Sequence, residues 1–422
     1  MSKIYLSKLV LVIVLLVTLF LGVVLGLIIS NISSFNVYNV LQNQQNQFKS
    51  SNLNFKNVNV STINGQVNLN VINQLLSLIN ENYIYDLPSF RLIEENIAKG
   101  LVSAFNDEYL IYLTKEENEA YEASLNPDFE GIGVRLHYNG EYTEVYEVFS
   151  QSPAYNAGIL AGDIIISVDN ENMYSKTPAY VASKIRGPQG SVVLIEVLRG
   201  KENKKFNIQR EKIDVENVYY SNLGNNIYHI TINQFLDESP FQFNESWDKL
   251  VNNVSAGSPK GIVLDLRNNN GGFVYSARYV IDEFIKKDSI ILLEQKKNSE
   301  LKTYKTVRDG KFENIPLVVL VNQNTASAAE IFALAIRDNS RGILVGTSTL
   351  GKGIEQQKFD NLINGASIII PFQKWLSPNG TNVNKSNPVK PDYIVDLDKQ
   401  KFYKDKYDSQ LQFAVQYLLQ NI

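Results

Sequence analysis

The stretch that decides the fold class is LVVLVNQNTASAAEI, residues 317–331. Its first five residues are all apolar, which is typical of a strand buried on both faces of a sheet. Polar residues 322–325 follow, and the remainder opens an apolar helix. A buried strand that turns directly into a helix is the repeating unit of α/β proteins, so this stretch predicts an α/β fold.

The same alternation of strand-like and helix-like segments continues on both sides of this stretch, over residues 213–422. Strand-like and helix-like patterns alternate at 227–232, 241–254, 261–266, 273–285, 317–321, 326–336 and 342–345. A strand-like stretch at 367–372 and a helical pattern at 406–419 close the chain. We therefore predict one α/β domain from residue 213 to residue 422.

Two further regions precede the α/β domain. Residues 128–212 contain short β-type runs separated by Gly, Pro and Asn turns, which predicts a separate, mostly β module. Residues 71–127 carry apolar residues at helical spacing with breaks at Pro88 and Asp107, which predicts a helical region. The chain is therefore expected to be a multidomain α/β protein.

The composition narrows the chemistry. The 422 residues include no cysteine and two histidines, with 40 basic and 44 acidic residues. Thiol nucleophiles, Cys-based zinc sites and iron–sulfur clusters are excluded, and Ser-His-Asp catalysis has little room. A net charge of −4 gives no sign of nucleic-acid binding. We expect no metal, and any catalysis must use other side chains.

The N-terminal residues 1–30 predict a membrane anchor. Residues 9–29 are almost entirely apolar, long enough to cross a hydrocarbon core of about 30 Å. Lys3 and Lys8 precede this span and no basic residue follows it closely, so the N-terminus is expected in the cytoplasm and the rest outside, in a single-pass topology. The alternative is a cleaved signal peptide, although the apolar stretch is long for one.

Residues 31–70 are rich in Asn, Gln and Ser and carry few charges. Such a composition buries too little apolar surface to offset the entropy of an ordered chain, so it predicts a flexible linker. The alternative is a short assembly helix in the first half of this segment. Self-association is also open through the helical region, the C-terminal helix or the membrane span, which leaves a homodimer as an expectation.

Two motifs characterise the β module. Residues 152–169, SPAYNAGILAGDIIISVD, combine a helical turn with a Gly-Asp turn into a strand, and Gly131, Ile132, Gly133 and Val134 form a glycine-bearing loop before another strand. Together these motifs resemble the signature of PDZ domains. The resemblance implies that the loop binds the carboxylate of an apolar protein C-terminus while the peptide adds a strand to the sheet. Taken alone, the glycines would indicate only a β-turn.

Arg186 lies in the segment IRGPQG of the same module, at a predicted turn before a strand. One interpretation is a solvated surface arginine. The other is a regulatory contact between the β module and the α/β domain. The residues alone do not decide between these two.

Ser327 is the first candidate for a catalytic group. It lies at the predicted strand-to-helix turn, where its side chain can project at a helix N-terminus and the next backbone N–H can face an oxyanion. The alternative is a helix cap in a Ser-x-x-Glu box with Glu330. Lys352, between Gly351 and Gly353, is the candidate base, because burial in such a loop would favour its neutral amine.

Two glycine-rich segments accompany these residues. Residues 346–352, GTSTLGK, match the phosphate-binding pattern Gly-x-x-x-x-Gly-Lys, but Gly353 stands where that loop needs Ser or Thr and no helical pattern follows, so we expect no nucleotide. Residues 264–272, LDLRNNNGG, read as a strand entering a glycine turn before a helix. That turn can offer backbone N–H groups, or it can be an ordinary connection.

Together these segments resemble the C-terminal processing peptidases, or tail-specific proteases, over about residues 75–400. The resemblance implies a crotonase-like α/β protease core, no cofactor, and peptide hydrolysis by a Ser-Lys dyad. The site residues it implies are the nucleophile Ser327, the base Lys352, Gln356 that orients the base, the supporting Asp338, and the oxyanion-hole residues Gly271, Gly272 and Ala328. Ala329, Asn270 and Trp375 depart from the family pattern at positions with no catalytic role.

The sequence thus predicts a membrane-anchored serine endopeptidase with its catalytic domain outside the cytoplasm. Its PDZ-like module would select proteins with apolar C-termini, and the dyad would cleave them through an acyl-enzyme. The alternative is a catalytically silent scaffold that tethers C-terminal tails. The presence of every dyad residue favours the enzyme.

Overall fold

The computed structural model describes residues 69–422 apart from 126–128, 139–141, 150, 177, 214–216, 237–239, 361, 399–400 and 403–406. The chain divides into two compact units between Glu94 and Glu95. The predicted membrane span and nearly all of the predicted linker lie outside the described residues. Among the helices of the described ranges, none combines the length and apolar character needed to cross a bilayer.

The predicted helical region contains three helices. They are α1 (Asn70–Asn82), α2 (Phe90–Ser103) and α3 (Lys115–Leu125). Helices α1 and α2 carry apolar residues at helical spacing, as predicted, yet no side chain of either helix is buried. Leu75 is 50% exposed and Leu101 is 60% exposed. Most apolar side chains of these two helices are therefore exposed.

One segment of this region is not helical. Ile111–Leu113 forms strand β1, which pairs antiparallel with the later strand Ser367–Leu376. Tyr112 is buried there. The segment is too short to show a period, and its partner lies more than 250 residues away in the chain, so local pattern could not reveal the pairing.

The β module begins with β2 (Phe129–Gly131), which pairs with β9 (Glu211–Ile213). Between them lie β3 (Val134–Tyr138), β4 (Thr143–Val148), α4 (Pro153–Ala157), β5 (Ile164–Val168), β6 (Glu171–Asn172), α5 (Pro178–Ile185), β7 (Val192–Arg199) and β8 (Glu202–Gln209). The antiparallel sheet has the order β3-β4-β5-β7-β8, with β6 on β5. Strand β3 is therefore an edge strand, and α5 packs beside it.

The Gly-Asp turn of the module is fixed by a buried ion pair. Asp163 is fully buried and accepts hydrogen bonds from Nε of Arg199 at 2.6 Å and from the backbone N–H of Leu160 at 2.9 Å. Ser152 caps α4 by accepting the N–H of Tyr155 at 3.2 Å. These contacts explain why residues 152–169 form a helical turn followed by a strand.

The α/β domain contains a six-stranded sheet whose middle strands run parallel. Its strands are β10 (Val218–Asn222), β11 (Ile227–Ile232), β12 (Gly261–Asp265), β15 (Leu317–Val321), β16 (Ile343–Gly346) and β19 (Tyr393–Ile394), in that order across the sheet. Only β10 is antiparallel to its neighbour. Every residue of β12 and β15 is buried, as the wholly apolar sequence of β15 predicts.

Helices cover both faces of this sheet. They are α6 (Pro240–Ala256), α7 (Val274–Ile281), α8 (Ala328–Asp338) and α9 (Ser409–Asn421). Buried residues of α6, α7 and α8, among them Trp247 and Phe332, form the main core with one face. Ala414 and Leu418 of α9 pack against the other face, on Val263 of β12. The expected α/β layering is therefore present.

A second sheet lies beside this core. Its strands are β1, β18 (Ser367–Leu376), β13 (Ile290–Lys296) and β14 (Lys302–Lys305), with β17 (Ile354–Phe359) also paired to β18. Strands β13 and β17 therefore flank β18 over part of its length. This sheet carries Gln356, whereas the parallel sheet leads to Ser327.

Candidate active site

Two loops meet where the parallel strands β12 and β15 end. The backbone N–H of Asn268 donates to Oδ1 of Asn322 at 2.9 Å, and Oδ1 of Asn268 accepts from Nδ2 of Asn322 at 2.8 Å. Oγ1 of Thr325 donates to the carbonyl of Leu266 at 2.8 Å. Because adjacent parallel strands end at the same edge, these bonds place the glycine turn after β12 beside the serine after β15.

Ser327 occupies a strained turn at the start of α8. Its backbone has φ 53° and ψ −118°, which L-residues rarely adopt and which costs about 1–3 kcal/mol. Gly271 approaches so closely that a Cβ there would lie 2.9 Å from Cβ of Ser327 and 2.8 Å from the carbonyl oxygen of Ala326. The turn thus requires glycine at position 271, because any side chain would displace the serine.

The backbone donors of this turn have different partners. The N–H of Gly271 donates to Oδ1 of Asn269 at 2.9 Å, and the carbonyl of Gly271 accepts from Phe235 at 2.8 Å. Within the described ranges, the N–H groups of Gly272 and Ala328 have no acceptor. Two backbone donors near Ser327 are therefore available to a negatively charged oxygen.

Lys352 lies in a tight loop between β16 and β17. A Cβ at Gly351 would lie 2.4 Å from the carbonyl oxygen of Asn384, and one at Gly353 would lie 1.9 Å from that of Val383. The flanking glycines therefore allow the close packing that half-buries the lysine. Strand β17 follows the loop, where a phosphate-binding loop would lead into a helix.

Among the described residues, one side chain accepts a hydrogen bond from the amine of Lys352. Its Nζ donates to Oε1 of Gln356 at 2.5 Å, and Nε2 of Gln356 donates to the carbonyl of Tyr109 at 2.7 Å. Burial lowers the pKa of Lys352, and the charge of Glu330 opposes this shift only in part. The ring of Tyr109 lies 5.7 Å from Nζ. Burial thus shifts the lysine toward its neutral form, which can accept a proton.

A single buried carboxylate joins the two loops. Oε2 of Glu330 accepts the backbone N–H of Ser327 and that of Lys352, each at 2.9 Å. Oε1 of Glu330 accepts the N–H of Gly351 at 2.8 Å and the hydroxyl of Thr349. Glu330 itself is fully buried. The glutamate of the predicted helix cap therefore also fixes the backbone of the lysine loop, a function that the Ser-x-x-Glu spacing alone did not indicate.

Asp338 lies at the opposite end of α8 from Ser327, about 16 Å along a helix of this length. Its Oδ2 accepts the hydroxyl of Ser377 at 2.5 Å and the N–H of Asn379 at 3.2 Å. It therefore anchors the turn that precedes Val383, the residue that packs against the lysine loop. Its position fits a supporting contact at a distance from the serine.

The loop of residues 131–134 lies at the edge of the β module. Ile132 is buried in the module's core, and Val134 begins edge strand β3. The carbonyl of Gly133 accepts the N–H of Phe149 at 3.0 Å, and Gly133 has φ 79°. In the part of the chain that the structure describes, the N–H groups of Ile132 and Gly133 have no acceptor.

Arg186 follows α5 and is half-buried, which lowers its pKa.

A buried ion network lies behind the glycine turn. Asp265 bonds to Nη2 of Arg267 at 2.6 Å and to Nε2 of His229 at 3.1 Å, and Arg267 also pairs with Asp408 at 2.7 Å. Burial opposes ionisation of Asp265, but Arg267 and His229 outweigh it and hold the pKa of Asp265 well below its usual range. His229 is thus a partly buried partner of Asp265.

The residues that sequence reasoning missed are backbone or long-range partners. Asn269 fixes the glycine turn and Tyr109 fixes Gln356, and the bonds of Glu330 to the lysine loop were also missed, although its helix cap was considered. The Asx pattern in RNNNGG was the one available signal for Asn269. Among the described residues, no group of three or more His, Asp or Glu side chains is arranged to hold a metal ion.

Comparison with known proteins gives two family matches. Residues 226–395 match peptidase family S41, and residues 144–199 match the PDZ domain. A probable CtpA-like serine protease of Staphylococcus aureus is 32% identical over 350 residues, which cover 82% of this chain and 68% of that protein. A relative of the same description from Staphylococcus haemolyticus is 31% identical over 74% of this chain and 62% of its own length.

Solved structures share the fold. The photosystem II D1 C-terminal processing protease has a TM-score of 0.59 at 22% identity, covering 76% of this chain and 86% of that one. A putative S41 protease from Bacteroides fragilis has a TM-score of 0.55 at 15% identity, covering 82% and 97%. The chain therefore belongs to peptidase family S41, the serine proteases that its sequence resembles, and it carries a PDZ domain.

Proposed function

We propose that this peptidase cleaves proteins with a Ser327–Lys352 dyad through an acyl-enzyme. The observation that carries the proposal is the contact of one Glu330 oxygen with the backbone N–H groups of both residues. This contact brings the strained serine turn and the half-buried lysine loop together in the folded chain. The lowered pKa of Lys352 adds a base that can act without histidine.

In this mechanism, neutral Lys352 takes the proton of Ser327 as Oγ attacks the carbonyl carbon of the scissile bond. The N–H groups of Gly272 and Ala328 stabilise the resulting oxyanion, since neither has an acceptor among the described residues. The Lys352 ammonium then protonates the leaving amine, and the acyl-enzyme forms. In the second step, Lys352 takes a proton from a water molecule whose oxygen attacks the ester carbonyl. The ester bond then breaks and the ammonium returns the proton to Oγ of Ser327, which releases the product acid. The N–H of Gly271 is already bonded to Asn269, so it is not assigned to the oxyanion. Gly271 instead allows its backbone to lie close to Ser327.

Gln356 positions the base throughout this cycle. Its Oε1 accepts from Nζ of Lys352 whether the amine is neutral or charged, and its Nε2 is fixed by the carbonyl of Tyr109. The amide therefore cannot rotate without losing one of these two bonds. Asp338 lies further from the dyad and supports it indirectly, by accepting the hydroxyl of Ser377.

The PDZ domain is proposed to bind the apolar C-terminus of the substrate. The N–H groups of Ile132 and Gly133 are available to a terminal carboxylate, and β3 is an edge strand with α5 beside it. A peptide can therefore extend the sheet between β3 and α5. Arg186 at the end of α5 stays a candidate for a regulatory contact.

The dyad predicts the outcome of a cleavage assay with an unfolded protein that ends in apolar residues. Ser327→Ala is expected to lower kcat by about 10⁴-fold or more, and Lys352→Ala by a comparable factor, because the two act as a unit. A substrate that ends in charged residues is expected to be cleaved more slowly by the wild type. Ser299→Ala, in an exposed turn, is the control. Undiminished cleavage by Ser327→Ala contradicts the dyad, and a wild type that binds but never cleaves indicates a scaffold.

Gln356→Ala is expected to lower kcat/KM by about 10- to 100-fold, the effect of losing a hydrogen bond of 1.5–3 kcal/mol to a charged group. Gln356→Glu is expected to raise the pKa of Lys352, because a carboxylate favours the ammonium, and so to move the acid limb of the pH profile to higher pH. Gln357→Ala, the next residue of β17, is the matched control. Equal effects of Gln356→Ala and Gln357→Ala would count against the positioning role.

Glu330→Gln is expected to act on both the fold and the pH profile. The charge of Glu330 raises the pKa of Lys352, so its removal should lower that pKa further and move the acid limb of kcat/KM to lower pH. The free energy of unfolding should fall by about 1–3 kcal/mol for each buried donor left without an acceptor. Glu245→Gln, exposed on α6, should change neither quantity. An acid limb that stays in place would refute the electrostatic link.

We also propose that residues 1–30 anchor the chain in a membrane, with the catalytic domain outside the cytoplasm, and that the exposed apolar positions of α1 and α2 allow self-association. The full chain should then fractionate with membranes, and a form without residues 1–30 should be soluble and sediment as a dimer. Leu75→Glu, at a 50%-exposed position of α1, should shift that form to the monomer. A soluble full chain would refute the anchor, and a monomer at all concentrations would refute the dimer.

A further inference from the structure

Two glutamates share one face of the second sheet, and one of them directly precedes Gln356 on β17. Glu355 of β17 pairs in register with Gln373 of β18, and Glu294 of β13 pairs with Trp375, two positions further along β18. Residues two apart on a strand point to the same face. That face is turned inward, since Gln373 and Trp375 are both buried. The two carboxyl groups are thus half-buried neighbours across β18.

The hydrogen bonds of this pair leave one oxygen without a conventional donor. Oε2 of Glu294 accepts the hydroxyl of Tyr304 at 2.6 Å. Glu355 pairs in register with Gln373, and it lies close enough to Glu294 that, besides burial, the charge of Glu294 raises its pKa. Its Oε1 is buried, and in the described part of the chain no N–H or O–H group donates to it. Ionised carboxylates only accept hydrogen bonds and repel each other, so a proton on one of two neighbouring carboxyl groups supplies a donor and removes the repulsion.

The charged groups around the pair do not neutralise it. Lys296 of β13 faces the same part of β18, and Lys302 of β14 and Arg278 of α7 lie over the ring of Tyr304, at 4.5 and 4.4 Å from its centroid. Among the described residues, neither Glu294 nor Glu355 forms an ion pair with these cations. Burial, followed by the charge of Glu294, raises the pKa of Glu355 to about 7, against the opposing effects of Gln373 and Lys296.

The position of Glu355 ties this pair to the proposed base. The pairing of β17 with β18 shifts register between Glu355 and Gln356, which marks a β-bulge at that step. Bulges re-aim the neighbouring side chain and are common beside active sites. At this step the pairing passes from Gln373 to Pro371, so Phe372 of β18 is the extra residue, and the bulge lies beside Gln356, which bonds to Nζ of Lys352 at 2.5 Å. Glu355 thus lies on one side of the bulge and the base's partner on the other.

We propose that Glu355 and Glu294 share one proton, and that this proton makes Glu355 a positioning residue that keeps the bulge, and with it Gln356, in place for Lys352. The inference rests on the dyad proposed above. Loss of the proton leaves two negative charges on half-buried neighbours, which repel each other across β18. The bulge then loses its anchor and Gln356 loses its alignment. Loss of the shared proton therefore lowers activity at alkaline pH, whereas protonation of Lys352 lowers it at acid pH.

The pair also makes the stability of the fold depend on pH. A carboxyl group whose pKa is raised by folding stabilises the fold below its ordinary value of 4.5, and this contribution is lost as the pH rises through about 7. Glutamine at position 355 can donate to Glu294 without a proton from solvent. Glu355→Gln should therefore remove both the loss of stability and the alkaline fall in activity.

The test compares the full-length wild type with Glu355→Gln, Glu294→Gln and the exposed control Glu300→Gln from pH 5 to 9.5. At pH 8.5, kcat/KM of Glu355→Gln is expected to be at least about tenfold above that of the wild type, since each pH unit above a pKa changes the protonated fraction tenfold. Glu294→Gln should behave alike, and Glu300→Gln should follow the wild type. The proposal would be overturned if Glu355→Gln lowered kcat/KM by the same factor at every pH, or if its pH profile were identical to that of the wild type.

A second measurement separates this proposal from the dyad. The free energy of unfolding in denaturant is measured over the same pH range on the Ser327→Ala background, with and without Glu355→Gln, so that no activity is needed. The shared proton predicts a fall in stability between pH 5 and 8.5 that disappears with Glu355→Gln. If Ser327→Ala still cleaves the substrate, the dyad is wrong. The stability comparison still tests whether Glu355 and Glu294 share a proton. If the free energy of unfolding does not change with pH in either protein, the two glutamates do not share a proton, whether or not the dyad is correct.

Discussion

The contact on which the rest of the site depends is between the carboxylate of Glu330 and two backbone N–H groups, those of Ser327 and Lys352. A fully buried carboxylate is costly unless hydrogen bonds compensate it, and Glu330 accepts four. Those donors come from the start of α8 and from the loop after β16. The cost of burying this charge is therefore offset only when both loops are in their native positions, which links assembly of the site to folding of the core.

The other constraints of the site act through close backbone approach. Gly271, Gly351 and Gly353 lie where a Cβ would collide with neighbouring backbone or with Ser327. The parallel strands β12 and β15 bring the serine and glycine turns to one edge, and side chains of Asn268, Asn322 and Thr325 bond the two turns together. The second sheet then contributes Gln356 and the pair of glutamates beside it. The site thus belongs to both sheets of the domain.

Sequence reasoning succeeded where chemistry is local. The apolar run 317–321 and the alternation around it predicted the buried parallel strands, and the PDZ and S41 resemblances are confirmed by family matches. It failed where partners are distant. Strand β1 pairs with a strand over 250 residues away, which no local pattern could reveal. The second function of Glu330 and the placement of Glu355 next to Glu294 depend on tertiary pairing that no local pattern encodes.

The measurement that tests the dyad most directly is the site and rate of covalent labelling by a fluorophosphonate, in which a serine Oγ displaces fluoride. We expect intact mass and peptide mapping to show one phosphonyl group, on Ser327, and we expect Lys352→Ala to slow labelling strongly at neutral pH while leaving the fold intact. Labelling of another residue, or an unchanged rate in Lys352→Ala, would contradict the account.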